Sequence, residues 1–216
     1  ASCVDAGEVE DLDSRFPFMQ LARGMMAKDL HGFGMHRGGL DMLEIDMAYP
    51  EPSIITSWGS CDVLSHNPGL FGGYSGPPNP RFIIEGSNML ELMKNGESPQ
   101  LTHYGLAHDR MLKGNYQFEH SMVPHKTFEV GDIAVHGAGG AGGYGDVLER
   151  DPQMVIKDIK EGIVSDHVVR EIYKVAYHPD TLEVDSQETD KLRENERKDR
   201  LNRGKPFNAF IKEWLS

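Results

Sequence analysis

Apolar and acidic residues alternate along Met42-Leu-Glu-Ile-Asp-Met47. A period of two sends successive side chains to opposite faces, so this stretch predicts a strand with one buried face. Ile54-Ile-Thr-Ser-Trp58 has the β-branched and aromatic content of a buried strand, and Arg81-Phe-Ile-Ile84 is a further strand candidate. Thr127-Phe-Glu-Val-Gly-Asp-Ile-Ala-Val135 reads as strand, turn and strand. Arg15-Phe-Pro-Phe-Met19 puts Phe16 and Phe18 on one face of an extended segment, with Pro17 favouring an edge position. Residues 20–28 and Met89–Met93 show no decisive period. The opening, residues 1–12, carries Asp5, Glu8, Glu10 and Asp11 with little apolar content and reads as a surface segment.

Beyond residue 150 the period changes. Asp151 suits an N-cap, Pro152 sits where a first helical turn tolerates proline, Val155, Ile156 and Ile159 share a face, and Gly162 fits C′. Ser165 can cap a second helix carrying Val168, Val169 and Ile172. A polar third helix follows across 185–205, with Leu192 and Leu201 as its apolar anchors. Phe207, Phe210, Ile211 and Trp214 then fall at i, i+3, i+4 and i+7, an amphipathic stripe that needs a docking surface on this subunit or a partner. The expected fold is α+β: a β-rich body over 1–150 ending in a glycine-rich loop, then a helical extension over 151–216 with two to four helices.

That loop, His136-Gly-Ala-Gly-Gly-Ala-Gly-Gly-Tyr-Gly-Asp146, is the least ordinary stretch of the chain. Glycines at 137, 139, 140, 142, 143 and 145 permit positive φ and close approach by other atoms. Two readings stand side by side. Its N–H groups can cradle an anion, although it matches neither G-x-x-x-x-G-K-[ST] nor a G-x-G-x-x-G opening a helix. Alternatively it is a tight connection packed against another backbone or subunit. Because ordering six glycines loses so much backbone entropy, the loop is expected at an active-site cleft or a subunit junction beside it, with its main-chain N–H groups and Asp146 facing polar partners. Two further glycine-rich segments, 31–40 and 69–78, read as a turn and a structured loop.

A formal charge of −12 excludes nucleic acid as a partner, since phosphate binding draws on clustered Lys and Arg. No stretch approaches the ~18 consecutive apolar residues of a membrane helix, and the first residues lack the charge and apolar run of a signal peptide. A cytoplasmic protein with Cys3 and Cys61 reduced is expected. Among ten histidines, His31/His36, His103/His108 with Asp109, and His120/His125 are local pairs with metal-ligand chemistry, none in H-E-x-x-H form; the structural reading outweighs the ligand one. Cys61 with His66 has nucleophile–base chemistry but not the sequence separation usual for such partners, and no catalytic residue is assigned.

The wording from 137 to 165, GAGGAGGYGDVLERDPQMVIKDIKEGIVS, followed by VVREIYKVAY, resembles the C-terminal region of the hydantoinase B / 5-oxoprolinase family. The closing YKVAYHPDTLEVD and RKDRLNRGKPFNAFIKEW are most similar to its carboxylase branch, the large subunit of ATP-dependent acetone and acetophenone carboxylases. RFPF at 15–18, HRGGL at 36–40 and GLFGGYSGPP at 69–78 are weaker matches. Family members run to several hundred residues, so the resemblance implies a C-terminal third, as a fragment or a separate piece. It also implies a hydantoinase A-like, ATP-using partner subunit, the remainder of the hydantoinase B-like subunit, and a ketone and bicarbonate as substrates. ATP and a divalent metal (Mg, Mn or Zn) are implied for the assembled enzyme, with the metal ligands outside this chain. The alternatives are an ATP-dependent hydantoin or 5-oxoproline amidohydrolase and a non-catalytic assembly module. Having no recognisable nucleotide fingerprint, the chain alone is expected to lack ATPase activity.

Overall fold

The computed structural model describes residues 9–57, 65, 67–78, 81–118, 123–137 and 139–215. The readings placed on Cys3, Trp58, Cys61, His66 and His120 therefore lie outside the described residues. The chain forms two compact units, residues 1–147 and 148–216. The fold is α+β, with a β-rich body and C-terminal helices.

In the first unit, helix α1 (Val9–Arg15) leads into β1 (Phe18–Met26), so the indecisive stretch after Phe18 is strand. Antiparallel pairing joins β1 to β2 (Met42–Ala48), β2 to β7 (Ile133–Gly137), β7 to β4 (Phe82–Glu85), and β4 to β5 (Asn115–Phe118). The resulting five-stranded sheet has the order β1-β2-β7-β4-β5. On β2 the alternation works as read: Leu43, Ile45 and Met47 are fully buried while the acidic residues between them are half-buried.

Strands β7 and β4, in the interior of the sheet, bury both faces, which is why their sequences hold continuous apolar runs. Phe82, Ile84, Ile133 and Val135 join Ile45 and Met47 in a core capped by Met89 of α2 (Met89–Lys94) and Leu106 of α3 (His103–Ala107). Ile83 and Ala134 point the other way and pack with Ala48 and Phe128. Phe128 belongs to β6 (Val123–Phe128), which among the described residues pairs with β3 (Ser53–Ser57) in a separate two-stranded ribbon. The strand, turn and strand reading over 127–135 holds, but its strands enter different sheets. Asp132 makes the switch: its carboxylate accepts from Gly86 N at 2.7 Å and from Glu129 N at 3.0 Å. The ribbon also corrects one expectation, because Ile54 on β3 is 68% exposed rather than buried. A two-stranded ribbon has too few neighbours to cover both faces.

The second unit is helical. Asp151 caps α4 (Pro152–Lys160) by accepting from Gln153 N at 2.9 Å, and Gly162 ends the segment at φ +73°. Ser165 Oγ accepts from Val168 N at 3.3 Å as expected, but residues 168–172 are π-helical, with Tyr173 N donating to Val168 O at 3.1 Å. Helix α5 (Ser186–Arg203) is capped by Asp185, which accepts from Glu188 N.

The expected anchorage of α5 is corrected. Of the two expected anchors Leu192 is half-buried and Leu201 exposed, and the buried positions are Thr189 and Arg193. Arg193 donates to Arg150 O at 2.8 Å and to Tyr173 O at 3.2 Å. Arg150 in turn pairs with Asp158 at 2.7 Å, both side chains buried. A helix with almost no apolar stripe is thus fixed by a guanidinium fork whose donors reach main-chain carbonyls. Helix α6 (Phe207–Trp214) closes the chain.

Candidate functional site

The glycine-rich loop begins where β7 ends. Its first glycine beyond the strand, Gly139, donates its N–H to Asp41 Oδ1 at 2.8 Å, and Asp41 is fully buried just before β2. From there the loop runs between two other segments of the first unit, 30–38 and 67–76, which overlap the two other glycine-rich stretches. Gly32 N donates to Ala141 O at 2.8 Å, and His36 and Tyr144 exchange both main-chain hydrogen bonds at 2.9 Å. On the other flank Leu70 N donates to Gly143 O, and Gly145 N to Leu70 O, each at 2.9 Å. Gly143 N reaches Tyr74 O at 2.9 Å, Tyr74 N reaches Phe33 O at 2.7 Å, and the Asn67 side-chain amide donates to Gly140 O at 3.0 Å.

Glycine is required here by close approach. A Cβ on Gly140 would lie 2.3 Å from Leu30 O, one on Gly142 2.3 Å from Pro68 O, and one on Gly143 2.1 Å from Phe33 O. The partner segments obey the same rule: a Cβ on Gly38 would meet Ala141 O at 2.0 Å, and one on Gly76 would meet Gly140 O at 2.0 Å. Three distant glycine-rich stretches thus interlock backbone against backbone, a glycine junction in which main-chain groups satisfy one another. Of the two sequence readings, packing against other backbone is the one that this geometry displays. The N–H groups of Gly139, Ala141, Gly143, Tyr144 and Gly145 already have protein acceptors, so they are not an open anion cradle.

The named loop residues divide by task. His136, half-buried on β7 opposite Glu44, has its pKa lowered to about 4, chiefly by burial and further by the Arg81 charge, so it is neutral at neutral pH. Gly137 is the last residue of β7, opposite Leu43. Gly145 sits at φ +75° against Met35, and Asp146 borders Gly72. Tyr144 reaches the surface, its ring 5.2 Å from Phe71 and 6.2 Å from His36. Sequence reasoning missed Asp41, Asn67 and Phe71 as partners of the loop. Glycines 32, 38, 73 and 76, close-packing in the same way, were the available signal.

The remaining candidates lie elsewhere. Phe207, Phe210 and Trp214 on α6 are exposed and Ile211 half-buried, so among the described residues the stripe has little cover. His31 is buried edge-on to Phe33 at 4.9 Å, whereas His36 is exposed beside Tyr144. His103 packs edge-on to Phe82, burial lowering its pKa, and His108 pairs with Asp109 at 2.8 Å and stacks on Tyr104. Among the described residues no group of three or more His, Cys, Asp or Glu side chains could hold a metal ion. The described donors do not fit the divalent metal implied for the assembled enzyme, and no step is assigned to one on them. Among the described residues no helix is long and apolar enough to cross a membrane.

No family model matches the chain. It is 32% identical to the acetophenone carboxylase delta subunit of Aromatoleum aromaticum, over 97% of this chain and 31% of that one. Identity to the acetone carboxylase alpha subunit of Xanthobacter autotrophicus is 27%, over 96% of this chain and 28% of the relative. The chain therefore spans about three tenths of the length of the curated relatives it matches. Among solved structures, nucleotide-free acetone carboxylase superposes with a TM-score of 0.83 at 26% identity, over 97% of this chain and 28% of that one.

Proposed function

We propose, from the premise that this chain is homologous over nearly its whole length to one stretch of the acetone and acetophenone carboxylase subunits, that it serves in a multi-subunit, ATP-dependent carboxylase joining a ketone to bicarbonate. The observation that carries the reading is this homology, with a matching fold, over a region whose most distinctive wording builds the glycine junction. The resemblance to the C-terminal, hydantoinase B-like region of these carboxylases is upheld by the same matches.

The chemistry explains why ATP is needed. A methyl ketone is a poor carbon nucleophile and bicarbonate a poor electrophile. An ATP-using, hydantoinase A-like partner phosphorylates the enol oxygen of the ketone and an oxygen of bicarbonate. Loss of phosphate from the second species releases carbon dioxide, whose carbon is the electrophile, and the enol carbon attacks it while water takes the phosphoryl group of the enol phosphate as inorganic phosphate. This chain's share is shape. The junction at 136–146 lines the cleft or the subunit boundary beside it, neutral His136 and Asp146 offer hydrogen bonds there, and α6 docks by Phe207, Phe210, Ile211 and Trp214. Burying such side chains is worth about 1.5–3 kcal/mol each.

The test is fixation of labelled bicarbonate by the assembled enzyme with ATP and acetone or acetophenone. Label in a β-keto acid is expected, together with no ATP turnover by the 216-residue chain alone. ATP-dependent opening of hydantoin or 5-oxoproline without any fixation would assign the amidohydrolase reading instead.

A further inference from the structure

The turn Leu70-Phe71-Gly72-Gly73 is closed by Gly73 N donating to Leu70 O at 3.0 Å, and both central residues are left-handed, Phe71 at φ +51° and Gly72 at φ +94°. Positive φ at both central positions suits Asn, Asp and Gly and is unfavourable for a bulky aromatic. Burial does not explain the phenylalanine, because Phe71 is 78% exposed. Its ring lies against Tyr144, itself 46% exposed, with His36 beyond. Main-chain bridges set His36, Tyr144 and Leu70 side by side, and Leu70 and Tyr74 are exposed as well. The result is an aromatic face on a closely packed base, since a Cβ on Gly73, Gly142 or Gly143 of the glycine junction would lie within 2.3 Å of a main-chain oxygen. A surface fixed in advance loses little entropy on docking, and large aromatic side chains dominate interface hot spots.

We infer that this face, with Phe71 at its centre, is the docking surface for the part of the carboxylase-type polypeptide that this chain does not span. The inference rests on the homology and deepens the functional reading. Nucleotide-free acetone carboxylase reproduces this fold, and in it, as in the two relatives, roughly seven tenths of the polypeptide lies outside the matched stretch. That is ample protein to seat on an apolar face otherwise left to water. A projecting turn tip is also the wrong shape for a small molecule, which prefers a concave site.

The experiment places a photo-crosslinking benzoylphenylalanine at position 71 in the assembled enzyme and maps the cross-linked peptides by mass spectrometry. Cross-links to sequence homologous to the unmatched part of the acetophenone carboxylase delta subunit are expected. Cross-links to a second copy of this chain or to the ATP-using subunit, or none at all, would overturn the inference. A second measurement uses Phe71→Gly. The 216-residue chain should keep its Tm or gain a few degrees, about 2–8 °C, as the turn relaxes, roughly the effect of relieving a left-handed residue. Its Kd for the unmatched part, supplied as a separate polypeptide, should rise at least tenfold; a lowered Tm with an unchanged Kd marks the residue as structural and overturns the docking. Bicarbonate fixation is measured on the same preparation. Fixation without the cross-link refutes only the docking, and the cross-link without fixation refutes only the carboxylase reading.

Discussion

In the glycine junction, main-chain N–H and C=O groups of three segments face one another because no side chain stands between them. In the helical unit the buried carbonyls of Arg150 and Tyr173 are met by a side chain, the Arg193 guanidinium, and Arg150 is itself held by Asp158. Both devices satisfy buried polar backbone, but they fail differently. The junction is intolerant of volume, whereas the helical network is intolerant of losing a charge, since a buried ion left alone is far worse than a buried pair.

The largest expected effect belongs to the charge network. Asp158→Ala removes the carboxylate that faces Arg150 inside the second unit and should destabilise it by about 3–5 kcal/mol in chemical denaturation. A loss under 1 kcal/mol would show that the pair is replaceable and that α5 is anchored by other means.

Next comes His136, a strongly shifted titratable group bordering the junction. Its folded pKa, about 4, lies below the ordinary 6.5, so as pH falls the unfolded chain takes up the proton first. The stability it contributes is therefore complete above about pH 6.5 and is lost as pH falls toward 4. The loss should be on the order of 3 kcal/mol. Urea melts across that range should show His136→Gln with a correspondingly shallower decline, and parallel profiles would assign the pH dependence to other groups.

The finest test separates two neighbours in one motif. A Cβ on Gly38 would collide with Ala141 O, while one on Gly39 meets nothing within 4 Å. Gly38→Ala should thus destabilise the first unit by about 1–3 kcal/mol, as overpacking does, and Gly39→Ala should stay within about 0.5 kcal/mol. Equal effects would mean that glycine serves backbone freedom here rather than close approach. The same geometry implies that valine at Gly140 or Gly143 harms folding as well as any activity, so alanine at open positions such as Gly39 is the cleaner control.

Legibility in the sequence followed the range of the force involved. Strand β2, the cap of α4 by Asp151, the stop at Gly162 and the stripe on α6 were all readable, because each depends on residues a few positions apart. The anchoring of α5 was not. Arg193 in a highly charged helix looks like its solvated neighbours, and only its proximity to Tyr173 O and Arg150 O, 20 and 43 residues away, marks it as buried. Strand β3 was readable as a strand but not as an exposed one, since burial depends on how many neighbours a sheet supplies.

The sequence by itself determined that the loop at 136–146 had to adopt a conformation closed to other residues, and that two further stretches shared the need, because glycine content reports directly on backbone geometry. Tertiary structure alone decided that the three needs are one. Nothing in the spacing of residues 32, 73 and 143 reveals that a Cβ on Gly32 would strike Gly143 N at 2.3 Å, or that one on Gly73 would strike Gly143 O at 2.3 Å. Close approach is a property of pairs brought together by the sheet, and a glycine carries no side chain to advertise its partner.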